Sequence, residues 1–476
     1  MRSSISLLLL LCACSHQAPG MAALPASRDV PPPAGPVTTF VPPIPTRELL
    51  PNGLALVTLP RPLVPMVNLT FVIKSGAAQD PATLPGLAGL MAEMLQSGTP
   101  SHNAEQIADA LENRGAALQV HTDQDAIFIS TTVLSEHALP VLEILTDLVL
   151  HPSFAQAELE RARRRRLAAL AEEEDDPARQ ASRAFRAALY GKHPYGHTAL
   201  GTEAALLRIQ PADLQAFHTQ QVHPKNCTLI LVGDLDSTGI QAAARATLLV
   251  WLASGAPTLP PAAAMDAPPH VVMVDRPGAP QSELRVGHLG RARLDPDYMS
   301  VYVMNAILGG LFNSRVNMNL REDKGYTYGA FSAFQMWRSR GVFGVGAAVE
   351  TRNTLPAIRE ILKEIERMRN TDVSLEELTL AQSGYALALP GYFEDLDAIA
   401  EMAAGLVVYD LPLDYYRKVA DQVRAVTVAD VRHAAERYLT PEALSIVVVG
   451  DAVNVAPGLA DLNRGPVLPS TAMETR

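Results

Sequence analysis

Cysteine is scarce in this chain: three residues in 476, at Cys12, Cys14 and Cys227. Two of them lie in the leader, so the mature body keeps at most Cys14 and Cys227. That excludes a disulfide framework and a cysteine metal site. Cys227 stands before the apolar run Thr228 to Val232 and reads as a core residue. Positive charge is also short. Lys and Arg number 39 against 50 Asp and Glu, a formal net charge of −11, which argues against a nucleic-acid binder. The one basic run, Arg163 to Arg166, is followed by the acidic run Glu172 to Asp176; on a helix the two read as a solvated face. No apolar run reaches the roughly 20 residues needed to span a bilayer. What the chain has in quantity is core-forming material: 48% hydrophobic against 19% charged residues. That supports large cores, in two to four domains at about 100–200 residues each.

The N-terminus carries Arg2 and then an apolar run from Ile5 to Leu11 that ends in Cys-Ala-Cys. The run has the length of a signal h-region. Leu11-Cys12-Ala13-Cys14 resembles a bacterial lipobox, with a leader over residues 1–14. The resemblance implies lipidation of Cys14 and a membrane association through the lipid alone. Ser15, rather than Asp, then points to the outer membrane, facing the periplasm. The alternative is a plain signal peptide cut near Ala18. Residues 15–45 are rich in Pro and Ala and read as a tether.

The body is one unit written twice. Asn226 to Asp234 reads NCTLILVGD and Leu444 to Asp451 reads LSIVVVGD. Ala212-Asp213-Leu214 matches Ala429-Asp430-Val431 at the same offset, and Pro224 matches Pro441. Such self-similarity marks a repeated structural unit. Val67 to Ile73 and Glu283 to Leu289 alternate as half-buried strands. Each is followed by an Asp-Pro turn, at Asp80-Pro81 and Asp295-Pro296, and then an apolar helix. The expected fold is α+β. Two homologous domains of about 200 residues, 46–252 and 270–455, each carry a mainly antiparallel sheet packed with helices. A Pro/Ala-rich linker, 253–269, joins them, and 456–476 reads as a tail.

Two segments could carry chemistry. Leu84 to Thr99 reads LPGLAGLMAEMLQSGT; Leu87, Leu90, Met91, Met94 and Leu95 form a core stripe. This segment resembles the metal-binding helix of the pitrilysin/insulinase metallopeptidases, the inverted zincins, whose motif is H-x-x-E-H. The flanks survive as Gly86-Leu87-Ala88 and Gly98-Thr99. The resemblance puts Gly89 at the first His, Ala92 at the Glu, Glu93 at the second His, and Ala169 at the later Glu that completes the site. None of the four keeps its residue type, and glycine and alanine offer no donor atom. His193 and His197 are separated by Pro194 and Gly196; His218 and His223 lack a paired acid. All four read as packing or surface histidines.

The second segment is 315–336, RVNMNLREDKGYTYGAFSAFQM. An apolar helical stretch (Val303, Met304, Ile307, Leu308, Leu311) leads to it, and strand-like residues (Ala330, Phe331, Ala333, Phe334) follow. Arg and Tyr can both hydrogen-bond a carbonyl oxygen, and Arg adds a permanent charge. Leu308-Gly309-Gly310, Arg321-Glu322 and Gly325 to Gly329 resemble the family's C-terminal signature. That resemblance implies that Arg321 and Tyr328 lie over the scissile bond, with Tyr326 as a weaker candidate. The family pattern further implies half of a clamshell chamber. It also implies a zinc-bearing homologous peptidase subunit as partner and a peptide substrate, with zinc in the partner and no cofactor in this chain. Two alternatives stand beside a zinc-less partner subunit. One is a peptide-binding or scaffold protein of the same fold; the other is a metallopeptidase with an unrecognised metal site.

Overall fold

The two repeated VGD segments are the centres of two sheets. The computed structural model describes residues 40–252 and 255–469; the Cys14 leader and most of the tether lie outside them. The first sheet contains β1 (Thr46–Leu49), β2 (Ala55–Pro60), β3 (Met66–Ile73), β4 (Gln119–Thr122), β5 (Ile127–Leu134) and β6 (Cys227–Gly233), in the order β1-β2-β6-β3-β5-β4. The second contains β7 (Val271–Asp275), β8 (Gln281–Leu289), β9 (Ala330–Gln335), β10 (Val342–Glu350), β11 (Ser445–Gly450) and β12 (Val467–Pro469), in the order β12-β7-β11-β8-β10-β9. β6 and β11 hold equivalent places. β6 is parallel to β2 and antiparallel to β3, and β11 is parallel to β7 and antiparallel to β8. The sheets are therefore mixed, with antiparallel pairs in the majority.

Why β6 and β11 read as unbroken apolar runs follows from their surroundings. A strand covered on both faces cannot alternate with polar residues. Every residue of both strands is buried. Leu229 and Leu231 enter the first domain's own core with Leu69 and Phe71. On β11, Ile446 and Val448 point into the second domain's core. Val447 and Val449 point the other way, into a cluster with Phe185 and Leu189. Those two residues belong to the helix Pro177–Tyr190 of the first half. Reciprocally, the helix Leu396–Val408 of the second half packs on β3 and β6. Each half thus lends one helix to cover the other's sheet. Arg276, Arg285 and Lys74 add polar links across the junction, with Lys74 paired to Asp410 at 2.6 Å.

Within the stretch read as a tail, the helix Ala452–Leu459 runs on towards β12, and β12 extends the second sheet beside β7. The described part of the linker is fastened, since Arg340 reaches both Ala264 O and Asp266. One sequence expectation is corrected. The apolar stretch before residue 315 is not one regular helix. It is α-helical over Tyr298–Asn305 and turns into a π-helix over Ala306–Gly310, with Leu311 outside. The cause is a close approach to β9. A Cβ on Gly309 would lie 2.5 Å from the Ser332 backbone nitrogen, and the Asn305 side chain bonds Ser332 twice. Among the described residues no helix is long and apolar enough to cross a membrane.

One polar cluster at the junction is buried and shared by both halves. Asp125 accepts from the Tyr195 hydroxyl at 2.6 Å and from the Arg338 backbone N–H at 2.8 Å. The Tyr195 oxygen in turn accepts from the Ser339 N–H at 3.1 Å. Burial pushes the Asp125 carboxyl above the usual carboxylate range. Removing one partner of such a set leaves the others unsatisfied, at about 1–3 kcal/mol. Tyr195→Phe should therefore lower the urea midpoint by that amount of stability without changing the fold. An unchanged midpoint would show that the cluster contributes nothing to joining the halves.

Candidate functional site

The helix Leu87–Met94 is buried at every position except Glu93. Gly86, at φ +95°, starts it where a side chain would meet the backbone of Gly201. Across from it runs the helix Gln156–Asp175. Arg163 and Arg166 share its inward face, one turn apart. The sequence reading of a solvated basic face holds for Arg164 and Arg165, which are exposed, and fails for the other two. Arg163 is 7% exposed and donates to the Leu206 and Ile209 carbonyls. Arg166 donates from Nε to Glu93 Oε2 at 2.8 Å and from Nη1 to the Ala199 carbonyl at 2.7 Å. Arg165 holds the other carboxylate oxygen, Oε1, at 2.8 Å.

These residues do not fit a zinc ion. Gly89 and Ala92 supply no donor, and both oxygens of Glu93 are engaged by guanidinium groups. A Cβ on Gly89 would lie 2.3 Å from the Ala199 carbonyl oxygen and 2.9 Å from Arg166 Nη2. An imidazole therefore has no room at 89 unless Arg166 and the 199–201 turn move. Ala169 lies one turn beyond Arg165 and Arg166 and carries no polar atom. Two fixed positive charges, Arg165 and Arg166, stand at the Glu93 carboxylate. Among the described residues no group of three or more His, Cys, Asp and Glu is arranged to hold a metal ion. His193 bonds the Ala262 carbonyl, His197 bonds Asp80 and the Ala77 carbonyl, His218 bonds the Val149 carbonyl, and His223 is buried.

The Arg/Tyr segment is built differently, rigid below and open above. The helix Arg315–Asn317 continues into a π-helix over Met318–Asp323. Gly325, at φ +63°, lets the chain leave the helix. Three side chains fix the backbone from beneath. Arg315 grips Glu377 through two bonds, Nε to Oε1 at 2.6 Å and Nη2 to Oε2 at 3.0 Å. Asn317 donates to the Phe312 carbonyl and accepts from the Ala330 N–H. Asn319 donates to Glu360 and Glu364. The candidates themselves separate cleanly. Tyr326 packs against the second core. Tyr328 is 92% exposed and makes no hydrogen bond among the described residues. Arg321 is half-exposed, with its guanidinium carbon 4.7 Å from the centre of the Phe312 ring and Nε 3.3 Å from Glu322. The sequence reading singled out Arg321, Tyr326 and Tyr328 but missed Arg315, Asn317 and Arg166. Arg166 had a signal: its spacing of three from Arg163, which puts both on one face of a helix.

Arg315 holds the Glu377 carboxyl far below the ordinary glutamate value of 4.5, at about 2, against an opposing effect of burial. A depressed carboxyl stabilises the fold above its unfolded-state value, and that stabilisation is lost as pH falls through the folded-state value. The contribution is thus complete above about pH 5 and fades from about pH 4.5 towards 2. Glu377→Gln should lower the melting temperature at neutral pH and narrow its gap to wild type as the solution is acidified. A gap that stays constant from pH 6 to pH 3 would contradict this.

Comparison with known proteins fits this architecture. Residues 57–203 match the insulinase (peptidase family M16) model, and residues 208–385 match the peptidase M16 inactive-domain model. An uncharacterized zinc protease of Mycobacterium tuberculosis is 25% identical over 424 residues, covering 88% of this chain and 95% of its own length. A Bacillus subtilis zinc protease, also uncharacterized, is 25% identical over 68% of this chain and 79% of its own. Among solved structures, a peptidase M16 inactive domain from Pseudomonas fluorescens superposes with a TM-score of 0.80 at 26% identity, covering 86% of this chain and 98% of its own. A chain of complex III from Candida albicans shares the fold at a TM-score of 0.72 and 16% identity, covering 86% of this chain and 96% of its own. The two matched regions follow one another along the body, and the chain belongs to the peptidase M16 (insulinase/pitrilysin) family, with an M16 domain followed by an M16 inactive domain.

Proposed function

We propose that this chain is the zinc-less subunit of a two-chain M16 metallopeptidase and that it supplies Arg321 and Tyr328 to a substrate held in its partner's active site. The observation that carries this reading is the contrast between the two segments. The metal helix has Gly89, Ala92 and Glu93 where ligands and base would stand, and Arg166 is bonded into the gap. The Arg/Tyr loop leaves Tyr328 open to solvent, holds a half-exposed Arg321 against Phe312 and Glu322, and is braced from beneath by Arg315, Asn317 and Asn319. A loop held in this way suits pre-organised donors aimed at a carbonyl oxygen on which charge develops. The relatives named as zinc proteases support a peptide as substrate. Two domains of this fold make half of a four-domain chamber, so the inner face needs a zinc-bearing homologue to close it.

The partner is identified by an intact H-x-x-E-H helix, and its zinc is the only metal the reaction would use. Arg321→Ala and Tyr328→Phe, each co-purified with that homologue, should lower peptide turnover by about 10²–10³. Complex formation and melting temperature should stay near wild type, because a rim loop contributes little to a core. Tyr328→Phe is the sharper of the two, since it removes one hydroxyl and little volume. Full turnover in both variants would remove these residues from the site and leave the peptide-binding or scaffold reading in first place.

The same proposal places the complex in the periplasm, tethered to the outer membrane through lipidated Cys14. One acyl chain binds a membrane only marginally, so the two or three chains of a bacterial lipoprotein are required. Labelled palmitate should enter the wild-type chain and not Cys14→Ser. Incorporation into the variant would rule out the anchor.

A further inference from the structure

The junction between the halves contains a cavity of about 220 Å³. Phe185 and Arg186 of the helix Pro177–Tyr190 form one wall; Arg285, Phe331, Trp337 and Gly344 form much of the rest. A second hollow of about 250 Å³ adjoins it and shares Ser182, Arg186 and Arg285. The space exists because β10 alternates between large and absent side chains. Phe343, Val345 and Ala347 fill the second core, while Gly344 and Gly346 face the cavity. A Cβ on Gly346 would lie 2.6 Å from Phe331, and one on Gly344 would lie 3.1 Å from Phe185.

Four arginines line these two hollows, and three have carboxylate partners. Arg179 pairs with Asp176, Arg183 with Glu174, and Arg285 with Glu283. Arg186 has none. Its guanidinium carbon sits 4.9 Å from the centre of the Trp337 ring, and Nη1 is buried with no hydrogen-bond partner. A guanidinium nitrogen withdrawn from water without an acceptor is costly, and the face of an indole offsets only part of that cost. Buried donors of this kind are normally satisfied, and Arg186 is the one arginine lining the two hollows that no carboxylate meets.

We propose that this cavity binds the carboxylate of an amphipathic acid, with the Arg186 guanidinium donating to the carboxylate and Phe185, Phe331 and Trp337 holding an apolar body. The planar guanidinium fork matches a carboxylate. The aromatic walls select a ligand with carbon attached rather than a bare inorganic anion. The volume is below the roughly 300 Å³ of drug-sized sites, which limits the ligand to one residue or a small acid. Two sources share this chemistry: the free C-terminus of a peptide ending in an apolar residue, and a small aromatic or aliphatic carboxylic acid. The site is complete within one chain and does not rest on the two-subunit reading.

Trp337 is its own reporter, because the chain has only two tryptophans and the other is Trp251. In the mature chain carrying Trp251→Phe, emission would be followed during titration with 3-phenylpropionate and with 3-phenylpropanamide. The same titration would use acetyl-Ala-Ala-Phe with a free C-terminus and with a C-terminal amide. Each acid should shift Trp337 emission at a concentration at least tenfold lower than its amide. Tighter binding of the peptide acid than of 3-phenylpropionate assigns the peptide terminus; a response to 3-phenylpropionate alone assigns a small acid. Adding Arg186→Gln should bring the acid-to-amide ratio close to one, whereas Arg186→Lys should keep part of it. The acid-against-amide comparison needs no change at Arg186, so a poorly folding variant does not decide the matter. Equal binding of acid and amide, no response to any probe, or an undiminished preference in Arg186→Gln would each overturn the proposal.

Discussion

Everything in this fold depends on two strands being covered on both faces. β6 and β11 are buried along their whole length, and neither half can achieve that alone. The first half's helix Pro177–Tyr190 closes the outer face of the second sheet. The helix Leu396–Val408 closes the outer face of the first. Burial of apolar surface at about 25 cal/mol per Å² makes such an exchange decisive for two sheets of this size. It also fixes where chemistry can occur. The junction holds the Asp125–Tyr195 cluster and the Arg186 cavity, while the Arg/Tyr loop lies at the far end of the second sheet's order, where β9 forms the edge.

Around Glu93 the fold neutralises a carboxylate with its own arginines. Glu93 is the one residue of the helix Leu87–Met94 that is not buried, but its carboxylate is partly withdrawn from water, and a cation beside it offsets that cost. Arg165 and Arg166 neutralise it. Gly89 leaves the space into which the Arg166 guanidinium extends, within 2.9 Å of where a Cβ would be. The arrangement excludes a dication electrostatically and an imidazole sterically. Gly89, Glu93 and Arg166 act as one structural unit.

Much of this was legible in the sequence, and the misses share a cause. The matching VGD segments, the Asp-Pro turns and the alternating strands Val67–Ile73 and Glu283–Leu289 rest on local patterns, and local patterns survive in a single sequence. The exchanged helices do not announce their destination. An amphipathic helix shows that one face is buried, not against which sheet. Arg163 and Arg166 were read as solvent-facing because a run of four arginines looks uniform until the helical phase is fixed by packing. The strand Val467–Pro469 is too short to show a period. At the candidate site Arg321, Tyr326 and Tyr328 were visible as residue types, and their different surroundings were not. Tyr326 belongs to the core and Tyr328 to the solvent, a distinction set by the Gly325 turn and by Asn317.

The central claim is that the Arg166 guanidinium, held by Glu93 and the Ala199 carbonyl, leaves no place for zinc beside the helix Leu87–Met94. Elemental analysis of the purified mature protein, after exchange into buffer holding a small excess of zinc and then gel filtration, addresses it directly. The account predicts well under one zinc per chain and no change in melting temperature on adding a chelator. One tightly held zinc per chain, released only by a chelator and lost with it the thermal stability of the first domain, would contradict it.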